Sequence, residues 1–179
     1  MGHQEHRRQS PSRIPTAVLT ISDTRTHRTD ASGRLLRRLL ERSGHPVVHY
    51  QILPDEPALI RRALRLRCAD PRLSAVILTG GTGVSPRDKT CEVVQKLITK
   101  RLEGFGEIFR MLSFRQIGAA AFLSRAVAGI YRGKAVFSLP GSQQAVNLAM
   151  RTLILPEIGH LVSEIRKPRS PRGRRSRVS

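Results

Sequence analysis

Three times in succession a short apolar run is followed by an amphipathic helical pattern, and that order admits few folds. AVLTIS (residues 17–22) reads as a strand, then SGRLLRRLLERSG places Leu35, Leu36, Leu39 and Leu40 on one helical face. Arg34, Arg37, Arg38 and Arg42 fall elsewhere on that helix, and Gly44 closes it. VVHYQIL and EPALIRRALRLRCA repeat the pair, as do SAVILT and TCEVVQKLITK. A β-α-β-α-β-α order predicts an α/β fold, three layers with a mainly parallel sheet between helices. Downstream, GFGEIFRMLSF predicts a helix, with Phe105, Phe109, Met111 and Phe114 as a packing stripe. GIYRGKAVFSLPGS predicts two short strands around Arg132-Gly133, and QQAVNLAMRTLILPEIGHLVSEI a final helix interrupted near Pro156.

At 179 residues the length suits one domain. With no Trp, five Phe and two Tyr, aliphatic side chains must fill the core. The net charge of +19 is uneven. Residues 166–179 hold seven basic side chains and no acid, and residues 1–15 hold three Arg and one Glu. Residues 16–165 keep 22 basic and 12 acidic groups, a net +10. Both ends are Ser/Pro/Arg-rich without apolar periodicity, so residues 1–15 and 166–179 are expected to be disordered tails. The Arg-rich C-terminal tail is able to bind polyanions weakly by counterion release, although compositional drift towards Arg is the favoured account of it. No apolar run reaches membrane-spanning length, and the start lacks the apolar middle of a secretory signal. Cys68 and Cys91 match no disulfide framework or zinc spacing and predict buried thiols of a cytoplasmic protein.

In doubly wound sheets ligands gather beyond the carboxyl ends of the strands. Ser22-Asp23 follow the first strand, Pro54-Asp55-Glu56 the second, TGGTG (Thr79, Gly80, Gly81, Thr82, Gly83) the third, and Pro140-Gly141-Ser142 a later one. The glycine loop lacks the GK[ST] ending of a Walker A loop and fails G-x-G-x-x-G at Pro86. Its amides can form an anion nest, with Thr79 and Thr82 adding hydroxyl donors; it also suffices as a ligand-free turn. Taken singly, Asp88 fits a cap on the third helix, Asp55 a cap on the second, and Asp23 a turn. Taken together, three carboxylates beside an anion nest call for a cation, and Mg²⁺ with phosphates suits one or two carboxylates. No G-x-S-x-G elbow is present, and the six His show no metal-ligand pairing.

TGGTG-x-S-x-RD-x-T, the earlier IS-D and PDE, and the later EGFGEIFRMLSFRQIG, LSRAVAGI and VFSLPGS resemble, in that order, the MoaB/Mog family of molybdenum cofactor biosynthesis proteins. GFGEIFRMLSF is nearer the MoaB branch. The resemblance implies a molybdopterin-binding fold over residues 16–165 and a homo-oligomer, trimer or hexamer. It implies a nucleotidyltransferase, molybdopterin adenylyltransferase, in which ATP and molybdopterin are substrates and Mg²⁺ the cofactor. Asp55 and Asp88 match the family's catalytic and metal-handling acids. The loop Thr79 to Gly83 would hold pterin or phosphate, with Ser22, Asp23, Ser124, Pro140, Gly141 and Ser142 lining the pocket and Arg87 assisting. Ser142 stands where many relatives carry Asn. The alternative is a non-catalytic pterin-binding or polyanion-binding protein of the same fold.

Overall fold

The computed structural model describes residues 11–167. The order is β1 (Thr16–Ile21), α1 (Ala31–Arg42), β2 (Val47–Leu53), α2 (Pro57–Ala69), β3 (Ala75–Thr79), α3 (Thr90–Leu97), β4 (Lys100–Arg101), α4 (Glu103–Ile117), β5 (Val127–Tyr131), β6 (Lys134–Leu139), α5 (Gln143–Ala149) and α6 (Leu155–Arg166). The strands form one six-stranded sheet in the order β2-β1-β3-β6-β5-β4. β2, β1, β3 and β6 run parallel, while β5 and β4 are antiparallel to their neighbours. This is the expected three-layer α/β/α fold.

Strand alternation divides the core in two. Val18, Ile77 and Phe137 face α1, α4, α5 and α6, against Leu36, Leu40, Phe109 and Ile158. Ala17, Leu19, Val76 and Leu78 face α2 and α3, against Ile60, Leu64 and Val94. The central strands are buried on both faces, which is why they read as continuous apolar runs. Each buried Leu or Ile contributes about 1.5–3 kcal/mol through removal of apolar surface from water. Cys68 and Cys91 are free, buried thiols, as expected; burial raises the first to about 12 and the second to about 11.

Three local expectations change, and the interruption expected near Pro156 takes a specific form. The third helix ends at Leu97, because Ile98 turns extended and Thr99 donates its N–H to Ile130 O at 2.8 Å; Lys100 and Arg101 then pair with β5. The last helix widens to a π-turn over Met150–Ile154, ahead of Pro156. Pro156 has no N–H for the carbonyl one turn back, so the backbone finds a wider ring. In α4 Phe109 is buried, but Met111 and Phe114 are 50% and 61% exposed, so they are no part of the core stripe. Finally, Ile14 is fully buried, with its N–H donated to His45 Nδ1 at 3.2 Å, and Arg166 Nη2 bonds Ser74 Oγ at 2.7 Å. The ordered unit therefore extends beyond residues 16–165 at both ends. Residues 1–10 and 168–179 of the expected tails lie outside the described residues.

Candidate functional site

Because β1, β2, β3 and β6 are parallel, their carboxyl ends share one edge. Ser22 N–H donates to Leu53 O at 2.8 Å and Gly80 N–H to Leu139 O at 3.0 Å, stitching the loops after these strands together. Gly80 and Gly81 have φ of 100° and 61°, in the left-handed region that L side chains rarely adopt. Their missing side chains also make room. A Cβ on Gly80 would sit 2.2 Å from Ile21 O, and one on Gly81 2.2 Å from both Asp55 Oδ2 and Thr90 Oγ1. Gly83 lies likewise against Asp88, whose Oδ2 would be 2.8 Å from a Cβ there. The loop is thus the floor on which residues from distant segments meet.

The three acids converge on it. Asp55, 9% exposed, comes from the loop after β2 and accepts the Lys89 N–H through Oδ1 at 3.2 Å. Burial raises its pKa, and the Asp88 and Asp23 charges add to the rise. Asp88 Oδ2 accepts the Ser85 N–H at 3.0 Å. Asp23 Oδ1 accepts the Asp55 N–H at 3.1 Å, while its Oδ2 pairs with Arg87, which holds this carboxyl below its ordinary range. The helix-capping alternatives fail. The N-cap residues of α2 and α3 are Glu56 and Lys89, and neither helix has a side-chain cap. Asp55 instead serves the start of α3 from a different strand, a contact no local pattern announces.

Arg87 accounts for part of the like-charge conflict, since its guanidinium balances Asp23 and interacts favourably with Asp55. Among the described residues no group of three or more His, Cys, Asp or Glu side chains is arranged to hold a metal ion. The donor set is nonetheless all hard oxygen: two carboxylates against a floor of backbone amides. That set fits a cation delivered with a triphosphate, where one or two protein carboxylates are enough.

The expected pocket residues divide among several hollows. Ser22, Thr79, Gly80 and Gly141 line one cavity of about 280 Å³ with Thr20 and Asp30. Ser22 and Asp23 also line a neighbouring groove beside Pro54. Ser124 opens into a third cavity, about 260 Å³, with Arg125. Thr79 is not a free donor, because its hydroxyl donates to Pro140 O at 3.0 Å. Thr82 is buried and presents its carbonyl to Arg125 Nε at 3.3 Å. Ser142 is turned away from these cavities: its Oγ caps α5 by accepting the Ala145 N–H at 3.1 Å, beside a separate small hollow.

Three organising residues escaped the sequence reading. Arg125 ties the loop to the far side of the site, donating to Thr82 O and to Asp88 O (2.9 Å) and pairing with Glu92 at 2.5 Å. Its signal was its place beside Ser124 in LSRAV. Thr90 is fully buried, and its hydroxyl has no hydrogen-bond partner among the described residues. Asp30 caps α1 through the Gly33 N–H at 2.8 Å and accepts the hydroxyls of Thr20 (2.6 Å) and Tyr50 (2.5 Å). Burial first, then Asp30, pushes the Tyr50 phenol up to about 12. An Asp three residues before Gly33, where the leucine face begins, was a readable N-cap signal. Asp30→Ala strands the buried Thr20 hydroxyl, the half-buried Tyr50 hydroxyl and the α1 start, and is expected to destabilise the fold by about 2–4 kcal/mol. Urea unfolding of the variant checks this.

A family profile described as "probable molybdopterin binding domain" matches residues 17–160. The chain is 50% identical over 170 residues to molybdenum cofactor biosynthesis protein B of Halalkalibacterium halodurans, covering 94% of this chain and 100% of the relative. It is 49% identical over 168 residues to the protein of that name from Bacillus subtilis, covering 93% and 99%. The chain belongs to the MoaB family. A crystal structure of a molybdenum cofactor biosynthesis protein B superposes with TM-score 0.85 at 46% identity, covering 88% of this chain and 98% of the other. The tungsten cofactor synthesizing protein MoaB from Pyrococcus furiosus gives 0.79 at 36%, covering 88% and 100%. This MoaB-family chain thus has a role in molybdenum cofactor biosynthesis and carries a pterin-related binding domain. Among the described residues no helix is long and apolar enough to cross a membrane.

Proposed function

We propose that this chain is a cytoplasmic molybdopterin adenylyltransferase. The carrying observation is that Asp55 and Asp88, from loops after different strands, both abut the Gly81–Gly83 floor. A phosphate oxygen of molybdopterin attacks the α-phosphorus of ATP; the new P–O bond forms as the α–β bond breaks, and pyrophosphate leaves. Two anions must be brought together, so positioning and charge neutralisation dominate the chemistry. The loop amides receive phosphate oxygens, and Arg87 offers positive charge at the mouth. Bound Mg²⁺, held by Asp55 and Asp88, would neutralise the triphosphate and the leaving group. The burial of Asp55 strengthens its electrostatic grip on any cation it meets. Incubation with molybdopterin, ATP and Mg²⁺ should release one pyrophosphate per adenylylated product. Pterin binding without pyrophosphate release would favour the non-catalytic alternative.

The proposal extends to a homo-oligomer, a trimer or hexamer. Ile108, Met111, Phe114 and Ile117 on α4, with Phe122 and Leu123 just beyond it, are 43% to 74% exposed. A contiguous apolar stripe of this kind is what subunit contact covers. Sedimentation should give a trimer or hexamer, and Phe114→Asp with Phe122→Asp should shift it to smaller species at micromolar concentration.

A further inference from the structure

The cavity of about 260 Å³ beside Ser124 is joined to the glycine loop through Arg125, which donates to Thr82 O, and its lining is unlike that of the Ser22–Thr79–Gly141 cavity. Arg101, Arg110 and Arg125 border it with a single carboxylate, Glu103. Arg101 pairs with Glu103 at 3.4 Å and Arg125 with Glu92. Arg110, half-buried on α4, makes no ion pair among the described residues. Gly106, one turn earlier, lets it fold back: a Cβ there would be 3.0 Å from Arg110 Nη1 and 2.8 Å from Ala126 O. Ser124 lines the same cavity, and its Oγ is buried without a partner among the described residues. A guanidinium with no ion-pair partner among the described residues and a buried hydroxyl with none belong to residues lining one hollow, where an acceptor would find a donor-rich wall.

We infer that this cavity is an oxyanion seat for a phosphate monoester or pyrophosphate, read chiefly by Arg110 with Arg101 and Ser124. Guanidinium forks match phosphate oxygens two at a time, which a lone Lys does not. Arg125 gives the seat a fixed link to the reaction centre, since the same side chain holds Asp88 O and Thr82 O. The assignment to a substrate or product of adenylyl transfer rests on the function proposed above; the anion seat itself does not.

The test titrates inorganic phosphate and pyrophosphate calorimetrically into the full chain, without ATP. Arg110→Gln is expected to weaken phosphate binding by about ten-fold or more, Arg101→Gln by less, with unchanged melting temperatures. Arg62→Gln on the exposed face of α2 should leave it unaltered. Equal phosphate affinity in the wild-type and Arg110→Gln proteins, or no binding by the wild type, overturns the seat. Turnover then distinguishes the source of the anion. A raised KM for molybdopterin at constant KM for ATP assigns the pterin phosphate, whereas weakened product inhibition by pyrophosphate alone assigns the leaving group. Loss of phosphate binding in Arg110→Gln, in a wild-type protein that releases no pyrophosphate, would keep the seat and remove the adenylyltransferase.

Discussion

Asp88→Asn is expected to lower adenylyl transfer by about 100-fold or more while leaving the fold intact. The two effects separate because of what the carboxylate does. Its structural duty is to accept the Ser85 N–H at 3.0 Å, and an Asn carbonyl oxygen accepts that bond equally well. Its chemical duty in the proposed reaction is negative charge beside Gly83, which the amide lacks. Pyrophosphate release at saturating ATP and molybdopterin should collapse, while thermal unfolding moves by no more than a few degrees. Normal turnover in the variant would remove Asp88 from the role of cation anchor. Asp55→Asn should behave alike in turnover.

Gly81→Ala should be among the most damaging single-methyl changes at the described glycines. The left-handed φ of 61° costs an L residue about 1–2 kcal/mol before any contact is considered. The added Cβ would then meet Asp55 Oδ2 and Thr90 Oγ1, each at 2.2 Å. Neither can retreat cheaply. Asp55 is held by the Lys89 N–H, and Thr90 is fully buried with its own N–H on Gly81 O at 3.0 Å. We expect about 4 kcal/mol or more of lost stability, or insoluble protein. Gly104→Ala is the control, because a Cβ there meets nothing within 4 Å and lies in the first turn of α4. It should be neutral or stabilising by up to about 1 kcal/mol. Similar melting curves for the two variants would show that the loop yields, and that Asp55 is less firmly placed than described.

Much of the architecture was readable because it is written in short-range order. The leucines of α1 recur at helical spacing, and the strands run apolar between turn residues. Parallel order then brings the loops after β1, β2, β3 and β6 to one edge. The hairpin at Arg132-Gly133 was equally local, with positive φ at both residues. What misled was also local. Helical periodicity ran on through Ile98 and Thr99, although a strand partner 31 residues away claimed the Thr99 N–H. The Met111 and Phe114 side chains looked like core because apolarity alone does not say whether the contact lies within one chain.

The sequence by itself determined the layer order, the helical faces, the strand ends gathered at one edge, and the family. Tertiary structure alone decided which distant groups meet. Asp55 with Lys89, Arg125 with Asp88, and Ser32 with Gly141 O at 2.7 Å join residues 34, 37 and 109 positions apart. Periodicity reports how a segment meets its neighbours along the chain, but a hydrogen bond across the sheet edge depends on register and loop path. That is why Ser124 and Ser142 left the expected pocket, and why Arg110 became visible only in three dimensions.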